Sequence, residues 1–286
     1  VLVSVGDLLE EVLVRLPGDP MRGSDISVRS LRVRGGSAAN VAAIDAELGA
    51  SPRFVGQVGD DPIGHTLIAD LRDRGVETLV EHAGVTGVVV TMIGKGGRSR
   101  MIDRGSSVRL AVLDSDCLAD ATHLFLSASA FTEDPFASAV DRLLGEAADR
   151  RVPVTIAGPT LSDLEGLGDE AVRELARALQ PAHVILNRTE HAALGLGARE
   201  GVPGAIVTVV TNGARPTLVI DANGAQSVEV PPVETIRDLT GAGDGFVAGF
   251  LRSRLNDAEP VAATHAGHRI AARVISQLGP TTGAKR

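Results

Sequence analysis

The chain has no tryptophan and no tyrosine, and only six phenylalanines in 286 residues. A mechanism that grips a flat ligand between several rings has little to build with here. The single cysteine, Cys117, excludes an internal disulfide and a Cys-rich zinc site. That usage suits a reducing, cytoplasmic setting, with the thiol serving as a small buried apolar group. Lysines and arginines are scattered and the formal net charge is −8, so neither nucleic acid nor an anionic membrane is the expected partner. The apolar opening "VLVSVGDLLEEVLVRLPGD" is interrupted by Asp7, Glu10 and Glu11, as neither a secretory h-region nor a membrane span would be. Repeats, low-complexity tracts and long linkers are also missing, and the length suits one large α/β domain over residues 1–286. With 44% hydrophobic and 22% charged residues the chain matches ordinary globular proteins, so it can bury a substantial core.

What is present is a rhythm. The short runs "VLVSVGD", "RFVGQVG", "HLFLSAS", "VPVTIAG", "HVILN", "AIVTVVTNG" and "PTLVIDA" alternate with helical patterns such as "DEAVRELARALQ". Such runs predict βαβ units and a mostly parallel sheet covered by helices on both faces, so the fold class is α/β. Two stretches break the rhythm, at about 12–34 and at 86–105. Each has alternating strands joined by Gly, Pro or Asp turns without a helix, and each reads as an antiparallel hairpin; together they predict a small sheet beside the main one.

In "RDLTGAGDGF", residues 237–246, small residues precede Asp244, which opens an apolar run at helical spacing. The amides of Gly241, Ala242, Gly243 and Asp244 then lie at a helix N-terminus, where backbone donors and the helix dipole favour an anion such as a phosphate. Small residues admit the ligand close to the backbone. An aspartate at that mouth can take a proton from a substrate hydroxyl while the amides neutralise the group in transfer. The same spacing also fits a tight turn with Asp244 capping a helix, and the residues alone leave both readings open. A dinucleotide fingerprint is weaker, because "GAGDGF" lacks the last glycine of GxGxxG.

"DLTGAGD" resembles the C-terminal signature of the ribokinase-like, or PfkB-type, carbohydrate and nucleoside kinases, and "RGGSAANVA" at 34–42 resembles their N-terminal one. Two signatures in the right order about two hundred residues apart carry the resemblance over nearly the whole chain. It implies ATP-dependent phosphoryl transfer, with Asp244 as the base and Gly241, Ala242 and Gly243 as the anion hole for the γ-phosphate. No Walker motif is expected in that family and none occurs here. "NRTE" is similar to its NxxE element, which implies Asn187 near the ATP phosphates and Glu190 holding Mg2+ through water; read alone, these residues would be a capped helix start. "TNGARP" resembles its nucleotide turn and implies Thr211 and Gly213 near ATP, with Pro216 where a second glycine is usual. His268 falls where relatives line the adenine pocket, and a lone His there also fits packing. Asp238 and Thr240 match the loop that holds a monovalent cation such as K+.

On the substrate side the resemblance implies Gly35, Gly36 and Asn40 as a sugar-binding turn, glycines for close approach and an amide for hydroxyls. Glu11 stands where an aspartate usually grips adjacent hydroxyls, and the added methylene changes the reach. Leu9 and Ser37 replace a polar residue and a lysine of ribokinases. Arg104, at the end of the second hairpin, is placed to contact substrate and suits an acidic sugar such as 2-keto-3-deoxygluconate; the other reading is a solvated charge. The hairpins imply a lid that excludes water, and through it a homodimer. The leading expectation is a kinase for a small sugar or sugar acid. Alternatives are a nucleoside kinase of the same fold, for which Phe54, Phe125, Phe131 and Phe136 are the rings to locate, and a binding protein that has lost turnover.

Overall fold

The computed structural model describes residues 1–18, 23, 25–95, 97–158 and 168–284. The expected hairpin segments include 19–22, 24 and 96, which lie outside the described residues. The apolar runs become a nine-stranded sheet of order β13-β12-β11-β10-β9-β8-β1-β4-β5. Its members are β1 (Leu2–Val5), β4 (Arg53–Val58), β5 (Glu77–His82), β8 (His123–Ser127), β9 (Val154–Ala157), β10 (His183–Asn187), β11 (Val207–Asn212), β12 (Arg215–Asp221) and β13 (Gly224–Val228). From β5 to β11 every pairing is parallel. The expected βαβ rhythm stops at β11. "TNGARP" is a tight turn with Gly213 at φ +60°, so β12 and β13 close the sheet antiparallel.

Alternation along the strands divides the core. Leu2 and Phe125 face one side with α1 (Ser37–Glu47), α2 (Pro62–Asp73), α6 (Ala242–Arg254) and α7 (Pro260–Ile275). Val3, Val5, Leu124 and Leu126 face the other, against α3 (Phe136–Asp149). A third cluster joins Val184 and Leu186 to Ala176 of α4 (Asp169–Leu179); α5 (Arg188–Ala193) follows β10. Phe54, Phe125, Phe136 and Phe250 are fully buried, each contributing roughly 2 kcal/mol of apolar burial. Cys117 is buried as expected, and burial pushes its thiol up to about 11.

The smaller sheet has the order β3-β2-β6-β7, from β2 (Leu9–Arg15), β3 (Arg29–Gly35), β6 (Thr86–Gly94) and β7 (Gly97–Gly105). Both expected hairpins are antiparallel, and β2 and β6 join them in parallel. The first begins at Leu9, before the expected boundary, because β1 passes through Gly6–Leu8 directly into the small sheet. β3 then returns the chain through Gly36 into α1. Gly36 has φ +92°, and a Cβ there would lie 2.1 Å from the Asp7 carbonyl oxygen, so only glycine makes this junction without strain.

α1 and α6 are locked together by an ion pair whose carboxylate is buried and whose guanidinium is half-buried. Arg252 donates to both Asp45 oxygens at 2.7–2.8 Å. Burial pushes the Asp45 carboxyl up, and the guanidinium opposes that shift. These two helices carry the central residues of the site.

Candidate active site

Asp244 lies in the first turn of α6, behind Gly241 in the left-handed conformation at φ +78°. A Cβ on Gly241 would come 2.6 Å from Pro280, so the residue meets both the dihedral and the steric demand. Ser37 Oγ donates to Asp244 Oδ1 at 2.6 Å, and Asn40 Nδ2 donates to Oδ2 at 2.8 Å. Burial pushes the Asp244 carboxyl above the usual carboxylate value. The Ser37 and Asn40 hydrogen bonds oppose the rise, the charge of Glu11 adds to it, and that of Arg100 opposes it.

Of the expected anion-hole donors, the Ala242 amide donates to Leu239 O at 3.2 Å. The Gly243 and Asp244 amides sit at the helix start with no acceptor inside the helix. Space beside Gly243 is open, since an added Cβ would meet nothing within 4 Å. Asp238 commits Oδ1 to the Thr240 amide and hydroxyl and Oδ2 to the Gly279 amide. That loop is thus tied by the chain's own donors, which fix the Asp238 carboxylate in place.

Glu11 projects from β2 and is 2% exposed. Its Oε1 accepts from Thr91 Oγ1 at 2.6 Å and from Arg98 at 3.0 Å. Gly35 runs beside it, with an added Cβ 3.2 Å from the Glu11 Cβ. Arg104 is not a solvated charge. It donates to Ser129 O at 3.1 Å and Thr132 Oγ1 at 2.5 Å, with Asp7 at 3.8 Å and Glu133 at 3.6 Å. Asp7 is buried and accepts from Ser107 at 3.0 Å and Ser129 at 3.1 Å. Glu11, Asn40, Gly35, Gly36, Arg104 and Asp244 therefore gather where the small sheet meets the carboxyl end of β1.

Asn187 and Glu190 form a complete capping box on α5. Asn187 Oδ1 accepts from the Thr189 and Glu190 amides, and Glu190 Oε2 accepts from the Asn187 amide at 2.7 Å. Both residues lie at the carboxyl edge of the sheet, where Asn187 pairs in register with Thr211. His268 is 6% exposed; its Nε2 meets Thr217 Oγ1 at 2.9 Å and its ring packs on Phe246. Burial, with His265 next in effect, pulls its pKa below the ordinary imidazole value. His268 thus sits in the wall behind β12, with little surface left for a ligand.

Sequence reasoning passed over Arg34, Asp7, Arg98 and Thr91, and treated Ser37 only as a departure from lysine. Arg34 is one of three arginines in β3, RSLRVRG, so nothing local set it apart from Arg29 and Arg32. Nothing local marked Thr91 or Arg98, whose meeting with Glu11 depends on the parallel β2–β6 register and, for Arg98, on the β6–β7 hairpin.

A carboxylate held by Ser37 and Asn40 beside an open helix N-terminus, under a small sheet set on a mostly parallel one covered on both faces, fits a small-molecule phosphotransferase of ribokinase-like fold. The chain belongs to the pfkB family of carbohydrate kinases, whose pattern it matches over residues 2–286. It is a sugar or nucleoside kinase that transfers phosphate to an alcohol group. Among similar sequences, an ATP-dependent ribose-1-phosphate kinase of Halopiger xanaduensis is 30% identical over 271 residues, covering 90% of this chain and 86% of that one. A fructokinase of Klebsiella pneumoniae is 31% identical over 241 residues, covering 78% and 77%. Adenosine kinase from Sinorhizobium meliloti superposes with a TM-score of 0.88 at 20% identity, over 99% of this chain and 96% of that one. Arabidopsis thaliana ribokinase complexed with ribose and ATP gives 0.81 at 20%, over 99% and 95%. At such identities the superpositions establish the fold alone. Among the described residues, no helix is long and apolar enough to cross a membrane.

Proposed function

We propose that the protein phosphorylates a hydroxymethyl group of a small sugar or sugar acid with ATP, using Asp244 as general base and the amides at the start of α6 as the anion hole. The observation that carries this reading is the convergence of Ser37 and Asn40 on Asp244, with Glu11 close enough for its charge to act on the same carboxyl. Asp244 accepts the acceptor's proton, and its raised affinity for protons suits a base working near neutral pH. The Gly243 and Asp244 amides face the transferred group. Glu11 and Asn40 hold acceptor hydroxyls, with Gly35 and Gly36 giving close approach. Arg104 orders the lid end against residues 129–132, beside the acceptor. Asn187, Thr211 and Gly213 form the nucleotide edge, and His268 backs it. Glu190 is an oxygen donor at that edge and suits Mg2+ through water; bound there, the ion would neutralise phosphate charge.

The nucleoside reading is disfavoured by the rings. Phe54, Phe125 and Phe136 are completely buried in the core, which leaves Phe131, half-buried against the α3 cluster, as the one ring of the four with surface to offer a base. A binding protein without turnover would not require a desolvated base. The lid's outer face supports a homodimer. Val12, Val14, Val88, Val90 and Met92 share that face by register and are part-exposed, with Met101 50% exposed.

The test is Mg2+-dependent ADP production from ATP with ribose, ribose 1-phosphate, fructose, 2-keto-3-deoxygluconate, adenosine and inosine, comparing wild type with Asp244→Asn. One accepted sugar and a loss of about 10²-fold or more in the variant is the expected result. Full activity in the variant would rule Asp244 out as the base.

A further inference from the structure

The Arg34 side chain is 4% exposed and occupies the penultimate position of β3, three residues before Ser37 opens α1. Its Nε donates to Asn40 Oδ1 at 3.1 Å, its Nη2 to Pro280 O at 3.0 Å, and its Nη1 to Asp70. A guanidinium has only donors and a carboxylate only acceptors, and Asn40, lying between Arg34 and Asp244, offers one of each. The amide therefore has a single satisfied orientation, with Oδ1 on Arg34 and Nδ2 on Asp244.

We propose that Arg34 is a positioning residue that fixes the Asn40 amide and through it the Asp244 carboxylate. The proposal rests on the reading of Asp244 as base. Without Arg34, Asn40 Oδ1 loses its donor and the side chain is free to turn from Asp244. The charged groups facing Asp244 are Glu11 from β2 and Arg100 from β7, with the neutral donors Ser37 and Asn40 from α1.

The experiment titrates the Asp244 carboxyl by carbon-13 NMR in aspartate-labelled protein, assigned with Asp244→Asn, for wild type, Arg34→Met, Asn40→Ala and the double variant. Arg34→Met is expected to raise the Asp244 midpoint, with no further rise when Asn40 is already alanine. An unmoved midpoint would reduce Arg34 to a tie between α1, α2 and residue 280. An equal rise in both backgrounds would mean that its charge acts through space. Arg34→Lys, which keeps the charge but not the fork, repeats the test should Arg34→Met fold poorly. With the accepted acceptor, Arg34→Met should lower kcat roughly tenfold at unchanged KM for ATP. Absence of any kinase activity would overturn the functional reading while the titration still decides the positioning role.

A second, independent observation lies at the base of the lid. Ligand atoms of Asp60, His65 and His82 all fall within 4.8 Å of one another. His65 Nδ1 contacts Asp61 O at 2.7 Å, which fixes the ring and turns Nε2 toward Asp60 at 3.7 Å; the His65 and His82 ring centroids are 4.9 Å apart. A backbone carbonyl on one imidazole nitrogen, with the other nitrogen facing a carboxylate and a second imidazole, is the arrangement of a metal-ligating histidine. The frame is held by the Asp60 amide on Gly84 O and the Ala83 amide on Val58 O.

The geometry points to a divalent transition-ion site of the zinc class at Asp60, His65 and His82, open to solvent on its remaining positions. Isothermal titration of chelator-stripped protein with Zn2+ should give one ion per chain, an affinity at least tenfold weaker in His82→Ala, and no displacement by millimolar Mg2+. Absence of saturable binding, or equal affinity in the variant, would overturn the site.

Discussion

Ser37 Oγ and Asp244 Oδ1 lie 2.6 Å apart although 207 residues separate them in the chain. The bond is made to the charged form of the carboxylate and so lowers a pKa that burial raises. A base must be unprotonated to work, so the acid limb of kcat/KM should fall above the ordinary carboxylate range. Ser37→Ala should move that limb to higher pH, and Glu11→Gln should move it lower. A pH profile unchanged in both variants would separate this carboxyl from the rate.

Glu11 is expected to determine the acceptor, not the nucleotide. Glu11→Gln weakens the charge-assisted contact with Arg98 and removes an acceptor for a diol, so KM for the sugar should rise about tenfold or more while KM for ATP stays within about twofold. Equal rises in both constants would instead indicate a general loss of lid order.

Gly36→Ala tests the hinge between the sheets. The position has φ +92° and a would-be Cβ contact of 2.1 Å with the Asp7 carbonyl, so a cost of about 2 kcal/mol or more is expected in denaturant unfolding. Wild-type stability in this variant would show that the junction relaxes freely.

Acid sensitivity should come from a buried pair in the main sheet. Thr155 Oγ1 bridges His123 Nε2 at 2.7 Å and His183 Nδ1 at 2.8 Å, and burial pulls these imidazoles down to about 4 and about 3. Both are neutral in the folded protein while the unfolded chain takes up protons below about pH 6.5. Their contribution to stability is therefore full above about 6.5 and declines as pH falls toward 4 and 3, by up to a few kcal/mol. The paired substitution His123→Gln with His183→Gln should flatten that decline in urea unfolding at pH 4 to 7. An unaltered slope would place the acid sensitivity elsewhere.

The α/β class, the strand runs, the two hairpins and the motifs around Asp244 and Asn40 were legible because local periodicity and glycine placement are properties of short windows. The antiparallel close of the sheet was half legible. "TNGARP" carries a turn signal, yet the apolar run of β12 looks the same whether its neighbour is parallel or antiparallel.

By itself the sequence determined which residues have the chemistry: a carboxylate behind a glycine turn, an amide after a glycine pair, and a carboxylate in the second strand. Tertiary structure alone decided their company. Arg34 reaches Asn40 and Asp70 only because β3 turns through Gly36 beside α2, and Thr91 and Arg98 reach Glu11 only because β2 pairs in parallel with β6, which in turn carries β7. Hydrogen bonds and burial act over a few ångströms in space, and residues that far apart in the chain acquire that proximity only when the two sheets form.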